Sequence, residues 1–110
     1  MIALARAVPQ ATIVMCHVGG VLGYGAYAGK KDEVHAAWRG NMAELATCPN
    51  VSVKLGGVLN RGAALNFREL PAPPNSAAWA AAWRPYVEPC IELFDADLSR
   101  PERRCISGPE

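Results

Sequence analysis

At 110 residues, 51% hydrophobic and 19% charged, the chain has the length of one small domain and the apolar content to build a core, which excludes a disordered polymer. A net charge of +1, from basic and acidic residues scattered along the chain, excludes the electrostatic footprint of a nucleic-acid or anionic-membrane binder. Cys16, Cys48, Cys90 and Cys105 lie far apart with no C-x-x-C pair and no secretory segment, so reduced thiols in a cytoplasmic protein are expected.

Residues 1–8 favour a helix, yet no N-cap residue precedes them, and the chain reads as opening inside a longer helix. The run carries Arg6, is cut by Pro9 and is too short for a signal core or a membrane span. Thr12-Ile13-Val14-Met15-Cys16-His17 then predicts a buried strand near 12–17, with His17 at its C-terminal tip and a sharp turn at Gly19-Gly20. From Gly19 to Gly29 runs a loop with five glycines, whose Tyr24 and Tyr27 either pack or reach a ligand. Val34, Trp38, Met42 and Leu45 recur at helical spacing and predict an amphipathic helix near 31–47, with Asp32 and Glu33 favoured by the dipole in its first turn.

Cys48-Pro49 stops that helix, and Asn50-Val51-Ser52-Val53-Lys54-Leu55-Gly56-Gly57 predicts a second strand near 51–55. Its alternation sets Val51, Val53 and Leu55 on one face and Ser52 and Lys54 on the other. An irregular stretch, 58–75, carries Arg61, Arg68 and Pro71-Ala72-Pro73-Pro74; connections of this length are often functional. Helix returns near 77–94, with Ser76 as the expected N-cap and Pro85 opening a second helical piece. Pro89 is expected to kink or fray that piece, because it lacks a donor and crowds the carbonyl of Pro85. Arg104-Cys105-Ile106 starts a third strand near 104–106. Helix and strand alternate throughout, which predicts an α/β chain with parallel strands joined by right-handed crossovers.

Four passages in this order carry a resemblance: Ile13-Val14-Met15-Cys16-His17-Val18-Gly19-Gly20; Tyr27-Ala28-Gly29 with Asp32-Glu33-Val34 and Trp38; Asn50 to Gly57; and Ala82-Trp83-Arg84-Pro85-Tyr86. Together they resemble the amidohydrolase-related metal-dependent hydrolases, specifically the lactonase-like branch of 2-pyrone-4,6-dicarboxylate and sugar-acid lactonases. The resemblance covers most of the chain to about Phe94 and implies a (β/α)8 TIM barrel. Such a barrel needs about 250 residues. The chain is therefore expected to form one segment, 1–110, of a partial barrel: about two and a half βα units from its C-terminal half.

The resemblance implies a hydrolase that opens a lactone or related ester or C–O bond of a small carboxylated substrate with water. His17 would then orient water or polarise the carbonyl, tasks suited to an imidazole that donates at one nitrogen and accepts at the other; pattern alone favours instead a strand-end histidine bonded to backbone, and it is the resemblance that reverses this preference. Arg61 matches a position that grips a substrate carboxylate, for which a guanidinium offers a bidentate fork; the other reading is a solvated loop arginine. Lys54 would face the barrel interior and touch substrate, or pair with an interior carboxylate. Tyr24 is the fourth candidate, at the substrate.

Departures from the family pattern are as informative. Cys16 stands where the family usually has Asp, the His-x-His pair of the first barrel strand is absent, and Cys105 to Glu110 holds no active-site Asp. A metal needs three or four converging ligands. The resemblance implies a divalent metal such as Zn in a complete parent, but none is expected for this chain alone, and His35 on its helix is read as exposed or packed. Two other readings stand beside the hydrolase: a catalytically inactive truncated remnant that at most associates or binds, and a binding module built on the Tyr24/Tyr27 loop. Few strands leave edges unpaired and apolar faces half covered, which predicts marginal stability, self-association or pairing with a complementary fragment.

Overall fold

The computed structural model describes residues 1–23, 25–56, 71–94 and 105–106. In order, these form α1 (Ile2–Ala7), β1 (Ile13–Met15), α2 (Lys31–Ala46), β2 (Val51–Lys54), α3 (Ser76–Phe94) and β3 (Cys105–Ile106), with single 3-10 turns at His17–Gly19 and Gly25–Tyr27. The strands make one sheet in the order β1-β2-β3, and both pairings are parallel. A partial α/β fold results, with helices in the connections that parallel strands require.

The register sets Ile13 beside Val51, Val14 beside Ser52 and Met15 beside Val53. Cross-strand partners share a face, so the alternation sorts the side chains into two sets. On one face Val51 and Val53 are fully buried and Met15 nearly so, beneath Trp38, Met42 and Leu45 of α2 and Trp83, Tyr86, Cys90 and Phe94 of α3. Each buried valine contributes about 1.5–3 kcal/mol. The other face holds Val14, 46% exposed, with Ser52 and Lys54 half-buried. Parallel sheets are ordinarily covered on both faces, so this face is the open one among the described residues.

Asn50 ties the N-terminal segment to the sheet. Its side-chain amide donates to the carbonyls of Ala5, Val8 and Ala11 at 3.0–3.1 Å, closing α1, whose continuation Pro9 prevents. Its own carbonyl accepts the Ile13 N–H at 2.9 Å, which starts the β1–β2 ladder. At the far end of α2, Thr47 Oγ1 donates to the Glu44 carbonyl at 2.7 Å and terminates that helix before Pro49.

Several expectations need correction. The first strand is shorter than 12–17: it stops at Met15, and His17 sits in a turn beyond it. Asn75, not Ser76, caps α3, since its Oδ1 accepts the Ala78 N–H at 2.9 Å. No second helical piece opens at Pro85 either; α3 runs from Ser76 to Phe94 with Pro85 and Pro89 inside it. A donor from α2 compensates for Pro89, whose lack of an N–H leaves the Pro85 carbonyl without its helical partner: His35 Nε2 lies 3.1 Å from that oxygen. Among the described residues no helix is long and apolar enough to cross a membrane.

Candidate functional site

Because the strands are parallel, all their C-terminal ends share one edge, and there the chain leaves β1 through an unusual turn. His17, Val18, Gly19 and Gly20 have φ of 56°, 47°, 80° and 65°, four left-handed residues in succession. Glycine tolerates this, but a β-branched valine there is a genuine outlier, costing roughly 1–2 kcal/mol. Neighbouring contacts hold the turn in place. Val18 is 2% exposed within the core, and its carbonyl accepts a buried hydrogen bond from Trp38 Nε1 at 2.8 Å. Gly19 and Gly20 donate to the carbonyls of Cys16 and His17 at 3.0 and 2.9 Å. A Cβ at Gly19 would lie 3.2 Å from Met15 Sδ, a tight contact that a shift of a few tenths of an ångström in that side chain would have to relieve, so glycine suits the position first for its φ.

The turn brings the half-buried His17 ring beside the end of β2, where Nδ1 lies 3.2 Å from the carbonyl of buried Gly56. A carbonyl oxygen only accepts, so Nδ1 carries the proton. In the neutral ring Nε2 is then the bare nitrogen, able to accept a proton or a hydrogen bond. His17 is thus bonded to backbone, as the pattern allowed, and that bond also defines its tautomer. Cys16 beside it is exposed.

Lys54 ends β2 on the face opposite Val53, half-buried and outside any ion pair among the described residues. Arg61 and Tyr24 lie outside the described residues. Tyr27 is 46% exposed and, with Lys30, borders a cleft of about 790 Å³ walled by Met15, Trp38 and Met42. Gly19 and Gly20 line that cleft but His17 does not.

His35 belongs to the α2–α3 interface. Besides its bond to Pro85, it stacks on Trp38 at 5.6 Å and meets the edge of Tyr86 at 5.0 Å. Trp83 and Tyr86, at 5.7 Å, complete this aromatic cluster, and Trp83 Nε1 and the Tyr86 hydroxyl are buried without a hydrogen-bond partner among the described residues. Burial, and secondarily the Asp32 carboxylate, push the Tyr86 phenol above its ordinary value. Neither the bond from Trp38 to Val18 nor that from His35 to Pro85 was evident from sequence. The one available signal was Pro89 four residues after Pro85, which marks an orphan carbonyl without identifying its partner.

No group of three or more His, Cys, Asp or Glu side chains among the described residues converges to hold a metal ion. His17 is a single ligand, short of the three or four that the divalent site implied by the family resemblance needs, although its Nδ1–H bond to Gly56 leaves Nε2 in the state in which a histidine ligates a metal.

No curated protein and no solved structure matches the chain significantly. A family model does: the amidohydrolase model matches residues 1–98, which include the turn bearing His17, the Gly56 end of β2 and all of α3. With nine-tenths of its length so matched, the chain belongs to the amidohydrolase family, whose members are hydrolases.

Proposed function

We propose that the chain is part of a lactonase-like TIM-barrel hydrolase that opens a lactone or related ester of a small carboxylated substrate with water. The observation that carries this reading is the His17–Gly56 hydrogen bond at the C-terminal edge of a parallel sheet, where barrel active sites lie. With its proton on Nδ1, the neutral ring accepts at Nε2, which favours orienting and deprotonating water over polarising a carbonyl, a task that needs a proton on Nε2. Water oxygen bonds to the acyl carbon while its proton passes to Nε2. The acyl C–O bond then breaks, and the leaving alkoxide takes the proton back, giving the hydroxy acid and neutral His17.

Arg61 is assigned to the substrate carboxylate on chemical grounds, a guanidinium being suited to bidentate grip. Lys54, at the C-terminal end of β2, is a further cation for an anionic substrate. The remaining catalytic groups belong to the rest of a complete barrel. A second reading, an inactive remnant, draws support from the exposed Val14 on the open sheet face, a surface suited to self-association or to a complementary fragment.

The test is an assay of the purified chain, alone and co-expressed with the coding sequence that flanks it, against a panel of carboxylated lactones. Turnover that appears on complementation and disappears in His17→Ala supports the hydrolase reading. Turnover indifferent to His17→Ala overturns the role of His17, and none in either preparation favours the remnant.

A further inference from the structure

We propose that Trp38 is a positioning residue for His17. The proposal rests on the reading of His17 as the catalytic base, but its test does not require activity. His17 is oriented by the left-handed turn of which it is the first member, and the most strained member is its neighbour Val18, at φ 47°. A β-branched residue keeps that conformation only where its surroundings impose it. Two contacts do so: burial of the Val18 side chain, and the 2.8 Å hydrogen bond that its carbonyl accepts from the indole of Trp38.

The indole is itself fixed from the other side. His35 stacks on it and Tyr86 meets it edge-on at 5.2 Å, so the N–H projects from a rigid aromatic cluster between α2 and α3. The same nitrogen would lie 3.7 Å from a Cβ at Gly19, which places the turn directly against the ring. Removing the N–H leaves a buried carbonyl unpaired at the most strained residue of the turn, whose relaxation carries His17 away from the Gly56 carbonyl. Trp38 therefore helps to maintain the bare Nε2 on which the water-activating role depends.

The test reads the tautomer of His17 directly, by long-range proton–nitrogen NMR of the histidine-labelled full chain at a pH where the ring is neutral. Trp38→Phe removes the donor. A second variant carrying 3-benzothienylalanine at position 38 preserves ring size and stacking and removes only the N–H, which guards against a Trp38→Phe chain that fails to fold. Trp83→Phe is the control, because it alters a buried tryptophan whose N–H has no partner among the described residues and makes no contact with the His17 turn through a hydrogen bond.

The expected result is a fall of about fivefold in the Nδ1–H to Nε2–H ratio of His17 in the position-38 variants, the bias that one hydrogen bond of ordinary strength supports. The control should keep the parent ratio. An unchanged ratio in the benzothienyl variant overturns the proposal, as does an equal fall in the control, since the effect would then be general loosening of the core. Failure of lactone hydrolysis in the complemented chain would refute the proposed function and leave this measurement unaffected.

Discussion

The bond between His35 and the Pro85 carbonyl predicts a specific energetic coupling between two residues 54 positions apart, His35 and Pro89. Pro89 supplies no N–H to that carbonyl, and His35 Nε2, 3.1 Å away, takes the vacant role. In the Pro89→Ala background the helix regains its own donor and the imidazole becomes redundant. Neither single substitution is informative alone. Pro89→Ala relieves a helix penalty of up to about 3 kcal/mol but loses a buried ring, and His35→Phe changes ring contacts with Trp38 and Tyr86 as well as the hydrogen bond. A double-mutant cycle cancels those terms and isolates the bond. Because the contact is solvent-accessible, the expected coupling lies at the low end for a hydrogen bond, about 0.5–1 kcal/mol, with His35→Phe costing more when Pro89 is present. Urea unfolding followed by tryptophan fluorescence, with all four proteins at one concentration, measures it. A coupling within about 0.3 kcal/mol of zero refutes the compensation argument.

Gly19→Ala and Gly20→Ala both place a side chain at positive φ, but only the first meets crowding, at Met15 Sδ; Gly20→Ala should cost about 1–2 kcal/mol and Gly19→Ala measurably more, by the same urea assay. Asn50→Ala removes the donor shared by the Ala5, Val8 and Ala11 carbonyls and should destabilise the chain by about 1–3 kcal/mol, with amide exchange accelerated first in residues 2–13. The raised Tyr86 phenol gives a pH dependence of defined sign. Between the ordinary tyrosine value of 10.0 and the higher folded value, the unfolded chain has released a proton that the folded chain keeps, so stability falls as pH rises through that window. Tyr86→Phe should flatten this alkaline decline; a slope unchanged by the substitution would refute the assignment to Tyr86.

Several features were readable from residue order because they depend on local chemistry alone. Val34, Trp38, Met42 and Leu45 follow the helical period and do line the buried face of α2, or pack against it in the case of Val34. The alternation of Val51-Ser52-Val53-Lys54 corresponds to the two faces of β2, and Cys105-Ile106 joins it as a third parallel strand. Gly-Gly after His17 marked the place where the chain turns sharply, and the family match over residues 1–98 agrees with the resemblance at the level of the amidohydrolases.

Other features depend on residues far apart in the chain, which local patterns do not report. Positive φ at His17 and Val18 contradicts their intrinsic preference and persists because Trp38, twenty residues on, holds the Val18 carbonyl. The unbroken course of α3 contradicts the local meaning of Pro85 and Pro89, and a donor for the freed carbonyl comes from another helix. The tautomer of His17 depends on Gly56, which only strand pairing brings within 3.2 Å. Sequence alone determined that an imidazole follows closely on a strand in an α/β chain, at a sharp turn. Tertiary structure decided which nitrogen it presents, because a proton's location is set by the partner across the sheet.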